Sequence, residues 1–278
     1  MPVRKSLVPW KIFAYSIMVL FTILAITPLL WLLTSSFKPH AEIVRNPLGL
    51  PRTWYMENFR RAWTQGSLGV YFMNSIFYSV IATSTTTLFA LGSGYTFAKF
   101  NYRISKFFFA LYTLGLLITV HSVIVPLFVL ETYIGIGNTR LGVIIPYIAF
   151  GLPFAVYLAT GYLKGIPDSL EEAALIDGAT YMQIFQYIIV PVATPIIATM
   201  FIYTFLSNWN EFVLVLTLTS KTAIRSLPVG INSFAGGMSR DYGLQFSALV
   251  IGTIPMILFY LIFHEYLERG FAAGISKE

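Results

Sequence analysis

Asp168, Glu171, Glu172 and Asp177 place four carboxylates within ten positions, in the stretch Ile166-Pro-Asp-Ser-Leu-Glu-Glu-Ala-Ala-Leu-Ile-Asp-Gly-Ala-Thr180. Charge-free apolar segments lie on both sides of it. The chain has no HExxH, no paired Cys/His ligands and no G-x-S-x-G. Metal-assisted and nucleophilic catalysis therefore have no positive support. What remains for the acids is non-covalent. A short acidic helix between two membrane spans can dock a soluble partner, or it can cap itself and lie flat on the membrane surface.

The local pattern defines the element. Ser169 with Glu172 three residues later is a capping-box pattern. Asp168, Glu171 and Glu172 suit the positive end of a helix dipole. Leu170, Ala173, Ala174 and Asp177 fall at helical spacing and predict one small, smooth face. Gly178 suits the left-handed residue that ends a helix. Thr180 with Gln183 starts a second helix, with Tyr181, Ile184, Phe185 and Ile188 on its apolar side.

The elements that must position this stretch are membrane spans. Of 278 residues, 56% are hydrophobic and 11% charged, and mean hydropathy is +0.73. Soluble domains carry about 25% charged residues, so the chain is read as an all-α integral membrane protein. It has no cysteine, which excludes disulfides and thiolate metal sites. The net charge of +6 is shared among segment ends rather than gathered in a stripe, so no nucleic-acid partner is implied. A span needs roughly 20 apolar residues. The expected spans are residues 12–33, 71–97, 107–130, 141–163, 193–219 and 244–264, with the acidic loop at 165–190. The first apolar run is too long for a signal peptide and is read as a retained span. Residues 34–68 form a polar loop with a short helix near Glu57–Trp63. Ser84-Thr85-Thr86-Thr87 and Gly92-Ser93-Gly94 give the second span a small face suited to helix packing. Pro126 is expected to kink the third. His121, in the same span, is either a functional group or bonded to a neighbouring carbonyl. Six spans put both termini on one side. Lys and Arg then divide nine against nine across the membrane, so charge bias does not orient the chain.

Glu172-Ala173-Ala174, Gly178 and Ile188-Ile189-Val190-Pro191 resemble the EAA loop of bacterial ABC importer permeases, with Val190 where the family usually has leucine. The resemblance covers nearly the whole chain and is closest to the sugar-type permeases. It is carried also by Pro28-Leu29-Leu30-Trp31 through Ser36-Phe37-Lys38, Glu57-Asn58-Phe59, Trp209-Asn210-Glu211-Phe212, Leu227-Pro228-Val229-Gly230 and Arg269-Gly270-Phe271 with Gly274. It implies six transmembrane helices with a cytoplasmic coupling helix between spans four and five. Ser169, Glu171, Glu172, Ala173, Ala174, Asp177 and Gly178 would couple to a cytoplasmic ATPase, and Arg269, Phe271 and Gly274 would touch it from the tail. The implied partners are a second, different permease, two ATPase copies and an extracytoplasmic solute-binding protein. The implied location is the bacterial inner membrane with both termini cytoplasmic. ATP and Mg²⁺ would bind the partner ATPase, since this chain has no G-x-x-x-x-G-K-[ST] and implies no cofactor of its own.

Asn208, Trp209, Asn210 and Glu211 are the candidate solute path. Trp209 offers a face for a sugar ring, and Glu211 in a span is costly unless paired or hydrated. The bland alternative packs Asn210 and Glu211 against the partner permease or at the outer interface. A self-contained secondary transporter or channel is the rival function, with His121 and Glu211 as its only candidate relay.

Overall fold

The charge-free runs fold as long helices, because a segment in hydrocarbon must satisfy its own N–H and C=O groups. The computed structural model describes the backbone of residues 7–234 and 241–275, and the side chains of residues 10–234 and 241–264. In chain order the helices are α1 (Leu7–Ser36), α2 (His40–Arg45), α3 (Glu57–Thr64), α4 (Leu68–Lys99), α5 (Arg103–Gly115), α6 (Val120–Tyr133), α7 (Leu141–Leu163), α8 (Ser169–Ile176), α9 (Tyr181–Ile184), α10 (Val190–Val192), α11 (Thr194–Asn210), α12 (Val213–Leu218), α13 (Leu227–Ser233) and α14 (Tyr242–Ile275). A π-helical turn, Phe185–Ile189, joins α9 to α10. No strand occurs among the described residues. Among the described residues, four helices (α1, α4, α7 and α14) are long and apolar enough to cross a membrane. The number rises to six if two bent pairs, α5 with α6 and α9–α10 with α11, each count as one crossing.

The chain divides into two units. The first comprises Met1–Leu68 and Ile231–Ile254. Here α1 is apolar on every side, and Trp10, Phe13, Phe21, Leu24 and Leu29 are all exposed. The loop after it is tied together by polar groups. Lys38 is fully buried, and its ammonium donates to the carbonyls of Asn46 and Pro47 at 3.2 and 3.4 Å. Asn58 is buried on α3, and its Nδ2 donates to the carbonyls of Ser36 and Lys38 at 2.9 and 2.8 Å. Arg61 pairs with Asp241 at 3.1 Å, and the His40 and Tyr242 rings stack. Asn58→Leu is expected to cost about 2–3 kcal/mol, because two carbonyls lose a buried donor. Thermal unfolding of the detergent-purified chain reads this cost, and an unchanged transition would contradict it.

The second unit comprises Gly69–Gly230 and Pro255–Glu278. Its centre is the packing of α4, α7 and α11. On α4, Ser79, Thr83, Thr86 and Thr87 are buried with Ala82 and Ala90, while Ser84 is exposed. Small residues let the backbones approach, as lipid-embedded helices require. A Cβ on Gly94 of α4 would lie 2.6 Å from the Ala159 Cβ of α7. A Cβ on Gly151 of α7 would meet the Thr86 and Thr204 methyls at 3.2 and 3.3 Å.

Two features differ from the sequence reading. The third apolar segment is not a rod kinked at Pro126. That proline sits inside α6, and the chain turns by 104° between α5 and α6 instead. After Gly115 the bonds tighten to i→i+3, from Leu116 to Thr113, Leu117 to Leu114 and Ile118 to Gly115. Thr119 is then extended, within the β-branched run Ile118-Thr119-Val120 that disfavours helix. The fifth apolar segment, expected over 193–219, stops at Asn210. Glu211 is extended, and α12 starts separately at Val213.

Candidate functional site

The acidic stretch folds as a helix, a glycine break and a second helical segment. The expected Ser169–Glu172 capping box does not form. Helix α8 begins at Ser169 itself, Asp168 occupies the cap position, and no side chain caps it. The capping box occurs one element later. Thr180 N–H donates to Gln183 Oε1 at 2.8 Å, and Gln183 N–H donates to Thr180 Oγ1 at 3.4 Å. Between them, Gly178 has φ +83°. Its N–H reaches the Leu175 carbonyl at 3.0 Å, and Ala179 N–H reaches the Ala174 carbonyl at 2.9 Å. These two bonds make a Schellman motif.

The faces of α8 also differ from the pattern. Ala173 and Ala174 do not share a docking face: Ala174 is buried and Ala173 is exposed. Ala174 belongs to a cluster with Tyr95, Leu163, Ile166, Ile184 and Ile189. Glu171 turns inward with it and is only 9% exposed. The outward face carries Ser169, Glu172, Ala173, Ile176 and Asp177, and Ile176 is 86% exposed. Beside it an open groove is lined by Asp177, Gly178, Ala179, Gln183, Tyr187 and Ile188. A Cβ on Gly178 would meet nothing within 4 Å.

What holds α8 in place was not legible in the sequence. Lys99, in the last turn of α4, donates to Asp168 Oδ1 and to the Ile166 carbonyl, both at 2.6 Å. It also lies 3.5 Å from Glu171 Oε1. Tyr95 donates its hydroxyl to Glu171 Oε2 at 3.0 Å. The sequence marks Lys99 only as one of several charges in a turn, because its partners are 67 to 72 positions away.

The candidate solute-path residues separate into two groups. Asn208 and Glu211 line a cavity of about 110 Å³ together with Tyr147, Phe154, Tyr203 and Ser207. Glu211 Oε1 accepts the Leu214 N–H at 2.8 Å and so caps α12, which gives this carboxylate a partner. Asn208 Nδ2 donates to Thr83 Oγ1 of α4 at 3.2 Å. Trp209 and Asn210 are not in the cavity lining. Trp209 is buried, its ring 5.7 Å from that of Phe72 and 6.0 Å from that of Phe205, so no open face is left for a sugar. Asn210 is exposed and bonds back to the Leu206 carbonyl at 2.8 Å. The aromatic pair at the cavity is Phe154–Tyr203, at 4.3 Å, which tryptophan-centred pattern reading missed. His121 is exposed in the first turn of α6. Arg269, Phe271 and Gly274, the expected tail contact, lie in α14, and the side chains of Arg269 and Phe271 lie outside those described.

Comparison with known proteins gives this arrangement its family. The family described as "Binding-protein-dependent transport system inner membrane component" matches residues 86–273. The chain is 34% identical over 266 residues to the diacetylchitobiose uptake system permease protein NgcG of Streptomyces coelicolor, covering 95% of this chain and 87% of that one. It is 33% identical over 258 residues to the trehalose transport system permease protein SugB of Mycobacterium tuberculosis, covering 91% and 93%. Its fold is similar to a solved bacterial ABC transporter involved in the import of the acidic polysaccharide alginate. That match has a TM-score of 0.84 at 21% identity over 94% of this chain and 98% of the other. An all-helical, multi-pass membrane chain, matched by this family over most of its length, is thereby placed: it belongs to the binding-protein-dependent transport system inner membrane components.

Proposed function

We propose that the chain forms half of the translocation path of an ATP-driven importer for a sugar or oligosaccharide, and that α8 docks it to a cytoplasmic ATPase. The observation that carries the docking role is the outward face of α8. In a chain that is 11% charged, Glu172 and Asp177 are presented beside an open groove and an unobstructed Gly178. The saccharide class is supported by the uptake systems named for the relatives above. In this reading the chain pairs with a second permease and sits on two ATPase copies. A solute-binding protein delivers cargo from outside, and α8 and both termini face the cytoplasm. Hydrolysis belongs to the ATPase, which would hold ATP and Mg²⁺. This chain's own work is to hold α8 against that subunit and to line the solute path. Its spans shift only as far as contacts on α8 differ between the two states.

The test is reconstitution of the assembled importer in proteoliposomes with candidate saccharides. ATP-dependent uptake that requires the binding protein is the expected result. Uptake by this chain alone would overturn the reading. Within it, Glu211→Gln keeps an acceptor for Leu214 but removes the charge from the cavity. A solute hydrogen bond to a charged group is worth about 1.5–3 kcal/mol, so transport is expected to fall by roughly 10- to 100-fold at low solute. Unchanged solute-stimulated ATP hydrolysis would remove Glu211 from the path.

A further inference from the structure

We propose that Lys99 is a positioning residue that fastens α8 to the end of α4, so that a load on α8 is delivered to that helix. This rests on the reading of α8 as the docking element and adds the route by which its displacement reaches a span.

The geometry is that of a tie rather than of a solvated surface pair. A lysine ammonium has three donors; Lys99 gives hydrogen bonds to the Ile166 carbonyl and Asp168 Oδ1, and its charge lies 3.5 Å from Glu171 Oε1, at ion-pair distance. Its side chain is 5% exposed, against 80% for Asp168. The second oxygen of Glu171 is taken by Tyr95. Tyr95 and Lys99 are four residues apart and share one face of the last turn of α4. Ile166, Asp168 and Glu171 bracket the start of α8. One turn of each helix therefore grips the other. The charges also agree with both helix dipoles, with the cation at the C-terminus of α4 and the acids at the N-terminus of α8.

Such a tie has two mechanical consequences. Exposed ion pairs contribute little and slip easily, whereas removing one partner of a buried pair strands the other charge. The contact is also directional, since the carbonyl of Ile166 fixes Lys99 to backbone and not only to a mobile carboxylate. The Tyr95 ring continues the grip, lying 5.4 Å from Phe185 in the π-helical turn that follows the loop. Residues on both sides of α8 are thus bound to the same turn of α4. The apolar contacts of Ala174 would allow α8 to slide; the polar ones would not.

The experiment uses the whole importer in proteoliposomes and reads solute moved per ATP hydrolysed. Lys99→Met is expected to keep the ATPase attached while lowering that ratio roughly tenfold, within the range of typical couplings. Lys99→Arg, which preserves charge and donors, is expected to restore most of it. A Lys99→Met importer that retains a ratio within about twofold of the parent, well short of a typical coupling, overturns the proposal. If Lys99→Met does not assemble, a cysteine pair decides, because the chain has no cysteine of its own. Lys99→Cys with Asp168→Cys should be uncoupled when reduced and recover when bridged by a short bifunctional thiol reagent; absence of recovery overturns it. Glu172→Lys is measured alongside. Its failure to disturb coupling would defeat the docking reading itself, whereas a coupling loss there with a normal Lys99→Met defeats only the tie.

Discussion

A Gly178→Asp chain is expected to insert in the membrane normally and to hold the ATPase about 100-fold more weakly, as an unpaired carboxylate in an interface costs roughly 2–4 kcal/mol. The added side chain meets no steric block, and its cost to folding is the strain of a left-handed residue at φ +83°. A Cβ there meets nothing within 4 Å, and aspartate tolerates the left-handed conformation better than most residues. The new carboxylate instead enters the groove beside Asp177, where the proposed occupant seats. Gly178→Ala separates the two effects. It carries only backbone strain of about 1–2 kcal/mol and adds no charge. Co-purification and stimulated ATP hydrolysis read both variants. If the aspartate and alanine variants behave alike, the groove is not a seat and backbone conformation alone matters.

Gly94→Leu is expected to damage the scaffold itself. The first added carbon would lie 2.6 Å from the Ala159 Cβ and 3.1 Å from the Thr160 backbone nitrogen. Neither can be moved without separating α4 from α7. Overpacking costs about 1–3 kcal/mol and more where backbone blocks relaxation. At Gly92, two residues away, a Cβ would meet nothing within 4 Å, so Gly92→Leu should be close to neutral. The pair is compared by thermal unfolding in detergent and by accumulation in the membrane. Ala159→Gly added to Gly94→Leu should recover part of the loss. Equal behaviour of the two leucine variants would contradict the close approach of α4 and α7.

What the sequence made legible was local. The charge-free run 141–163 coincides with α7. Gly178 and the Thr180–Gln183 pair mark the helix end and the next start, because capping is decided by neighbours within a few positions. The failures needed longer range. The Ser169–Glu172 box does not form, and Glu171 and Ala174 face inward because Tyr95, Lys99 and the apolar cluster that receive them come from distant parts of the chain. The tie at Lys99 joins residues nearly seventy positions apart, and no periodicity announces such a pair. The break at Glu211 was hidden because a polar residue in an apolar run reads equally as solute ligand or as cap. Here the carboxylate caps α12 and also lines the cavity. Trp209, attractive as a stacking platform by type, is buried between Phe72 and Phe205 because residue type says nothing of which way a ring faces.

The most direct measurement of the central claim is site-directed photocrosslinking from position 176, in place of the 86% exposed Ile176, in native membranes. A photoreactive group there, on the outward face of α8, is predicted to capture the ATPase subunit, and Gly178→Asp in the same chain should abolish the adduct. Adducts formed only with lipid, or with a protein outside the cytoplasm, would contradict the docking of α8 and the orientation built on it.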